Sequence, residues 1–337
     1  MLRLPVIYTC FPGGRHKVLT MSYDDGREED RRLVDLFNRH GIRGTFNLNA
    51  GIDWDPKRVP LSEYRTLYEG HEVACHTYTH PTIARCPLEQ VARQILSDRE
   101  GLENLIGKPV RGLAYPNGSY SRDIISMLPS LGIRHARVVP TSGSFGMPEN
   151  FLEWKGTCHH NGQLMDKARA FADLFKTQYL YMMYVWGHSY EFTDRDNWHV
   201  MEEFCQFIGG REDIWYATNI EIVDYMDDAA RLQYTAAGDR VYNPNAQSVW
   251  IQVELPGQGR KIHEIPAGQM VRLFCRSCAI CPVFHAQWVI SVQIWLITSH
   301  IQPFREESIV QSTPPLYNIH KSQDLRIQQN PLSLPHF

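Results

Sequence analysis

The stretch LTMSYDDGREEDRR, residues 19–32, leads from an apolar segment into a charged one and sets two carboxylates side by side. The run KVLTMSY at residues 17–23 predicts a buried strand, and Asp24 and Asp25 follow where that strand ends. Gly26 permits a sharp turn there. Because adjacent like charges repel, the pair costs stability unless a cation or a proton holds it. The alternative is a solvated turn, since Asp-Gly is a common turn pair.

Short apolar runs alternate with helical patterns along residues 17–234, and this alternation predicts a mostly parallel sheet or barrel. In such folds, ligand sites lie at the carboxyl ends of the strands. The predicted strands cover residues 17–23, 44–50, 72–76, 110–115, 135–139, 180–186 and 214–217. The predicted helices cover residues 27–40, 60–69, 87–106, 124–131, 167–177, 201–208 and 220–234.

Polar residues follow several of these predicted strands. His76 ends the run EVACH, and His188 follows the most apolar run of the chain. His76 and His80, in HTYTH, have i, i+4 spacing, which suits a metal, although for this pair alone ordinary polar histidines are the favoured interpretation. Asp25, His76 and His80 together supply three ligands and leave a position open for water and substrate, the form of a catalytic zinc site. Asp24 would then be free as a general base.

Four motifs in order, SYDDG, HTYTH, AYPNG and WGH, resemble the polysaccharide deacetylase family with the NodB homology domain, also called carbohydrate esterase family 4. The resemblance implies a distorted (β/α) barrel over residues 15–234 and metal-dependent removal of N-acetyl groups from amino sugars. It implies Asp24 as the catalytic base. It also implies Asp25, His76 and His80 as ligands of a divalent ion, most often Zn²⁺, with Co²⁺, Mn²⁺ or Ni²⁺ as alternatives.

The same resemblance assigns further residues around the site. His188 matches the general acid of the family, and Asn117 matches the position whose backbone N–H helps to hold the oxyanion. The aromatic residues Tyr115, Trp154 and Trp186 are candidates for walls around a sugar ring. Core packing is the favoured alternative for Trp186, which lies on an apolar strand.

This sequence departs from the family pattern at two supporting positions, an arginine and an Asp-containing segment before a tryptophan, where FLEWKGTCHH stands instead. The family usually carries an arginine beside its catalytic base, and the matching residue here is Ala114. Arg111 lies nearby, and FLEWKGTCHH offers His159 and His160 as other partners. The sequence leaves open which of these side chains supports Asp24.

Composition narrows the other classes of function. The chain has 337 residues, a formal net charge of −3 and no broad basic stretch, which argues against nucleic acid as a partner. The apolar run before Pro12 is too short for a secretion signal, so a cytoplasmic location is expected, with no membrane contact. An N-acetylated carbohydrate is the expected substrate. A small non-sugar amide or imide is an alternative, as is a carbohydrate-binding protein derived from such an enzyme.

The pattern changes after residue 234. Residues 240–273 alternate polar and apolar positions between turns, which predicts a small antiparallel β appendage. Residues 274–337 show no clear period and predict an irregular, poorly ordered tail. CRSCAIC at residues 275–281 has a spacing that can bind a metal, and the uncharged run 279–304 is long enough to span a membrane. A tail from an altered reading frame is the preferred interpretation.

Overall fold

The structure is a computed structural model that describes residues 4–274. Within this range it has fifteen strands and eight α-helices. The strands are β1 (Val6–Cys10), β2 (Lys17–Asp24), β3 (Gly44–Leu48), β4 (Glu72–Cys75), β5 (Gly112–Ala114), β6 (His135–Val138), β7 (Trp154–Lys155), β8 (Cys158–His159), β9 (Tyr181–His188), β10 (Ile214–Tyr216), β11 (Gln233–Tyr234), β12 (Arg240–Tyr242), β13 (Val249–Leu255), β14 (Gly259–Ile265) and β15 (Met270–Arg272). The helices are α1 (Asp30–Arg39), α2 (Tyr64–Leu67), α3 (Leu88–Ile106), α4 (Arg122–Met127), α5 (Leu164–Ala172), α6 (Tyr190–Asp194), α7 (Trp198–Ile208) and α8 (Asn219–Ala230).

Strands β2 to β10 form one curled sheet of nine strands. The order is β7-β6-β5-β4-β3-β2-β9-β8, with β10 beside the first half of β2, and every pair is parallel. Only Gly156 and Thr157 separate β7 from β8, the two ends of this order. The amide of Thr157 donates to the carbonyl of Tyr184 on β9 at 2.7 Å, so the chain itself joins the two edges. The predicted distorted (β/α) barrel is therefore confirmed.

The central strand β2 is buried along its whole length, and amphipathic helices cover the sheet. In α1, the residues Leu33, Val34, Leu36 and Phe37 are buried on one face, with charged residues on the other, as the i, i+3, i+4 spacing predicts. The ring of Phe37 lies 5.9 Å from that of Tyr23 on β2, an edge-on contact. This packing fixes the strand whose carboxyl end bears Asp24.

The last four strands, β12 to β15, pair antiparallel with their neighbours, as expected for the appendage. One of them also pairs with the beginning of the chain: β13 lies between β14 and β1. The sequence did not predict β1, which precedes the predicted domain boundary at residue 15. A single five-residue strand without a motif gives little local signal, whereas its partner 240 residues later supplies the pairing. The boundaries 15–234 and 240–273 stay a prediction.

The predicted tail at residues 274–337 lies outside the described residues, apart from Phe274. The same holds for the CRSCAIC motif and the uncharged run 279–304. Within residues 4–274, no helix has the length and apolar character needed to cross a bilayer.

We predict that Tyr225→Phe lowers the free energy of unfolding by about 1–3 kcal/mol, the usual cost of leaving buried polar groups unsatisfied. Tyr225 is 2% exposed, and its hydroxyl donates to the carbonyl of Cys10 at 2.6 Å and accepts from the amide of Trp250 at 3.0 Å. It thus ties α8 to both β1 and β13. Urea denaturation is the measurement, and Tyr234→Phe, at a ring that is 43% exposed, is the control. Equal stability of the two variants would contradict the prediction.

Candidate active site

Three neighbouring parallel strands bring polar side chains to one edge of the barrel. Asp24 is the last residue of β2, and its register partners are Asn47 on β3 and His188 on β9. Asp25 follows at φ 80°, in the left-handed region that non-glycine residues seldom adopt. The turn directs the two carboxylates to different partners. The pair is therefore not a simple solvated turn, the alternative that the sequence left open.

Asp24 is 2% exposed and is surrounded by donors. Asn47 Nδ2 donates to Oδ1 at 2.9 Å, and Arg137 donates to Oδ2. The Nε2 atoms of His76 and His188 lie 3.9 and 3.8 Å from the same Oδ2. Burial alone would raise the pKa of Asp24, but the charge of Arg137, the two histidines and the Asn47 hydrogen bond outweigh it and lower the pKa below its usual value. Asp24 is therefore a buried carboxylate that remains ionised at neutral pH.

Arg137 supplies the arginine that the sequence lacks at Ala114. Arg137 lies on β6, where it is the register partner of Ala114 on the neighbouring strand β5, and it is 1% exposed. Its guanidinium lies over the ring of Trp186, 4.3 Å from the centroid. The predicted role of Arg111 is corrected, because that side chain donates to Asp224 at 2.8 and 2.6 Å. Arg111 precedes β5, so it lies at the amino end of the barrel strands, opposite to Asp24.

The three predicted metal ligands come together. One ligand atom each from Asp25, His76 and His80 lies within 4.8 Å of the other two. The Nε2 atoms of the two histidines are 3.0 Å apart, and His80 Nε2 lies 4.0 Å from Asp25 Oδ1. His76 Nδ1 is 2.8 Å from the carbonyl of Ala114. A proton on Nδ1 satisfies that carbonyl and leaves the Nε2 lone pair for a ligand. Two imidazoles and one carboxylate fit a divalent transition metal such as Zn²⁺.

The loop that carries the histidines is fixed by buried polar contacts. Asp98 on α3 accepts from the amide of His76 at 3.0 Å and from the amide of Ala50 at 2.7 Å. Asn49 Nδ2 donates to the carbonyls of His76 and Thr77 at 2.8 and 2.6 Å. Thr77 and His80 have φ values of 64° and 57°, so this loop holds a conformation that needs such support.

His188 lies between the base and a second carboxylate. Its Nδ1 is 2.7 Å from Glu191 Oε1, and its Nε2 faces Asp24. Burial lowers the pKa of His188, but the hydrogen bond to Glu191 and the charges of Asp24 and Asp25 outweigh burial, so the pKa is raised. The ring therefore carries a proton over more of the neutral pH range than an ordinary histidine does.

His159 and His160 surround Glu191 and do not contact Asp24, which corrects their predicted role. Their Nε2 atoms lie 3.5 and 3.4 Å from the Glu191 carboxylate. With Glu191 they form a second group of potential ligands. However, the amide of Asn161 donates to His159 Nδ1 at 3.2 Å, so the ring proton is on Nε2, directed at Glu191. This tautomer donates a hydrogen bond and offers no lone pair to a metal on that side.

The predicted aromatic walls are buried. Trp154 has no exposed surface and packs edge-on against Tyr184 at 5.0 Å, so its predicted contact with a substrate is corrected to core packing. Tyr115 is 1% exposed and its hydroxyl donates to the carbonyl of Leu152, so its ring also belongs to the core. Trp186 is 7% exposed beneath Arg137. Asn117 is exposed, with φ 54° in its turn.

Sequence reasoning missed Arg137 and Glu191. Arg137 gave one signal, a charged residue within the short run HARV that was otherwise predicted to be a strand. Glu191 follows His188 by three residues, the spacing of one helical turn, and α6 begins between them. The contact of Arg137 with Asp24 is visible only once the strands are placed, whereas the contact of Glu191 with His188 is local in sequence.

The fold and site together define a parallel (β/α) barrel protein with a carboxylate–histidine site at the carboxyl ends of its strands. Residues 12–136 match the family model for polysaccharide deacetylase, and this match confirms the predicted resemblance to that family over this segment. A crystal structure of a presumed polysaccharide deacetylase from Mycobacterium smegmatis has the same fold. It superposes with a TM-score of 0.52 at 15% identity, over 68% of this chain and 96% of that one.

Curated relatives match over shorter segments. A chitooligosaccharide deacetylase from Sinorhizobium fredii is 28% identical over 130 residues, 38% of this chain and 54% of the relative. A peptidoglycan-N-acetylglucosamine deacetylase from Bacillus cereus is 27% identical over 112 residues, 32% and 40% of the two chains. The uncharacterized protein YlxY of Bacillus subtilis is 26% identical over 102 residues, 30% and 31% of the two chains. The match thus spans about a third to a half of these relatives.

We predict that Glu191→Gln lowers the pKa of His188. The neutral amide keeps the size of the side chain but removes the negative charge that stabilises the protonated ring. NMR titration of the histidine ring protons is the measurement, and Glu202→Gln, at an exposed residue on α7, is the control. A His188 pKa unchanged by Glu191→Gln would show that Glu191 does not set the charge of this ring.

Proposed function

We propose that this protein is a metal-dependent hydrolase that removes N-acetyl groups from an amino sugar or a short oligosaccharide. The observation that carries the proposal is the convergence of three ligand-type side chains, an ionised buried carboxylate and a histidine of raised pKa at one edge of the barrel. The family match supports the reaction class. The names of the chitooligosaccharide and peptidoglycan relatives support an N-acetylated sugar as substrate.

Asp25, His76 and His80 would hold the divalent ion in this proposal. An ion bound there supplies a Lewis acid that polarises the acetyl carbonyl and makes water more acidic. Zinc is the first choice, because nitrogen and carboxylate oxygen ligands with one open position are its usual catalytic set.

Asp24 acts as the general base and takes the proton of the attacking water. Asn47 and Arg137 bind its two oxygens, so the carboxylate is oriented before substrate arrives. Arg137 also keeps Asp24 ionised despite its burial, at the expense of basicity. The base is thus available in its charged form at neutral pH.

His188 acts as the general acid and gives a proton to the departing amine. An amine is a poor leaving group, so cleavage of the amide needs this proton. Glu191 binds Nδ1 and holds the ring with Nε2 toward the reacting groups. The backbone N–H of Asn117 is the proposed donor to the oxyanion, where a hydrogen bond strengthens as charge develops.

The test is release of acetate from N-acetylated chitooligosaccharides by the zinc-loaded protein. Asp24→Asn should reduce the rate by about 10²–10⁴-fold, because the amide keeps the shape but cannot accept the proton. Metal content, measured by elemental analysis, should remain near that of the unaltered protein, whereas Asp25→Asn should lose metal.

Asp194→Asn, at an exposed residue of α6, is the matched control and should change neither quantity. Loss of metal in Asp24→Asn with retention in Asp25→Asn would reverse the roles of the two carboxylates. Absence of acetate release from every N-acetylated sugar, with release from small amides or imides, would replace the proposed substrate class.

We further predict that His188→Ala slows amide cleavage by about 10²-fold or more. Hydrolysis of an activated acetate ester should fall much less, because a phenolate leaves without a proton. The ratio of the two rates is the measurement, with His199→Ala, an exposed histidine on α7, as the control. Equal losses on both substrates would assign His188 to structure or to water activation instead.

A further inference from the structure

Arg58 occupies a position beside a proposed metal ligand that the mechanism does not use. Its Nη1 donates to the backbone carbonyl of Asp25, and its Nη2 lies 3.4 Å from Asp25 Oδ1. The side chain of Arg58 is 9% exposed, so this contact is shielded from solvent. The same oxygen, Oδ1, is the one that lies 4.0 Å from His80 Nε2. The positive charge of Arg58 therefore lies beside the Asp25 carboxylate, one of the proposed metal ligands.

The guanidinium also reaches the other half of the site. Arg58 Nη1 donates to Asn49 Oδ1 at 2.8 Å, and Asn49 Nδ2 donates to the carbonyls of His76 and Thr77. One side chain thus connects the turn at Asp25 with the loop that bears the two histidines. Asp25 has φ 80°, a conformation that needs contacts to hold it, and the hydrogen bond to its carbonyl is such a contact.

The charges around the carboxylate pair are balanced before any ion is added. Asp24 is paired with Arg137, and Asp25 is paired with Arg58. A third carboxylate, Asp55, also pairs with arginines: its Oδ2 lies 3.7 Å from Arg58 Nε and 3.3 Å from Arg27 Nη1. The repulsion within the pair is therefore relieved by two arginines that belong to the fold.

We propose that Arg58 is a positioning residue that takes the electrostatic place of the divalent ion when the ion is absent. It holds Asp25, His76 and His80 in a preformed arrangement, and its charge weakens the binding of a cation to that arrangement. This inference rests on the proposed function, since it needs a metal at these ligands. Its consequence is a protein that folds without metal and exchanges the ion readily.

Arg58→Met and Arg58→Lys separate charge from geometry. Methionine removes the charge at similar length, whereas lysine keeps the charge but lacks the fork that reaches Asp25 and Asn49 together. Zn²⁺ is the probe. Its affinity is measured by competition with a chromophoric chelator, and the melting temperature of the full chain is measured with and without Zn²⁺. Arg65→Met, at an exposed arginine on α2, is the control.

We expect the metal-free Arg58→Met protein to melt several degrees below the unaltered protein, and Zn²⁺ to restore most of this loss. Its Zn²⁺ affinity should be at least tenfold tighter, because no fixed positive charge then opposes a cation at Asp25. Bound Zn²⁺ stabilises the folded state by an amount that rises with the logarithm of this affinity. Arg58→Lys should bind Zn²⁺ within threefold of the unaltered protein. If Arg58→Met folds only with Zn²⁺, that result also supports the proposal.

Unchanged or weaker Zn²⁺ binding by Arg58→Met would overturn it, and Arg58 would be a scaffold residue alone. If Arg58→Met folds under neither condition, Arg58→Lys decides, and a loss of affinity of tenfold or more would overturn the role of charge. Failure of the unaltered protein to bind Zn²⁺ would instead refute the proposed metal site. Equal Zn²⁺ binding by all variants would leave that site intact and refute only the role of Arg58.

Discussion

A carboxylate buried at the end of the central strand remains charged only when a cation is buried with it, and the pair of Asp24 and Arg137 meets this requirement. Four strand steps separate β2 from β6 in the sheet order. In a flat sheet, at about 4.8 Å per step, the two strands would be about 19 Å apart, beyond the reach of an arginine side chain. The ion pair therefore requires the sheet to curl. Barrel curvature and the charge state of the proposed base are two aspects of one constraint.

The same constraint orders the rest of the site. With Asp24 held by Arg137 and Asn47, its Oδ2 lies 3.8 Å from His188 Nε2 on the neighbouring strand β9. Glu191 then binds the far nitrogen of that ring, and two further histidines direct Nε2 toward Glu191. Opposite charges thus alternate along the contacts from Arg137 through Asp24 and His188 to Glu191. Removal of one member would leave a buried neighbour unpaired, a more costly change than loss of a surface ion pair.

Local patterns were sufficient to predict most strands of the barrel, although not β1 or the short strands β7 and β8. They were also sufficient to single out three ligand-type residues that come together. The run at residues 17–23 corresponds to β2, and Asp25, His76 and His80 converge because parallel strands end at the same edge. The arginine at Asp24 could not be found in this way, because Arg137 is 113 residues distant and its contact depends on curvature. Trp154 shows a second limit: periodicity indicates that a ring is apolar and buried, but not whether it faces a pocket or the core.

The pairing of β1 with β13 has a consequence for the order of events during synthesis. Val6 pairs with Glu254, so β1 waits for a partner strand that is synthesised more than 200 residues later. At typical rates of translation the delay is roughly 10–50 s, during which the whole barrel can form. Such long-range pairing slows folding, because the chain loses the entropy of closing a long loop before the contact between the strands can stabilise it. The pairing of β1 with β13 is then a late step of folding, and until that step the backbone N–H and C=O groups of β1 have no partner strand.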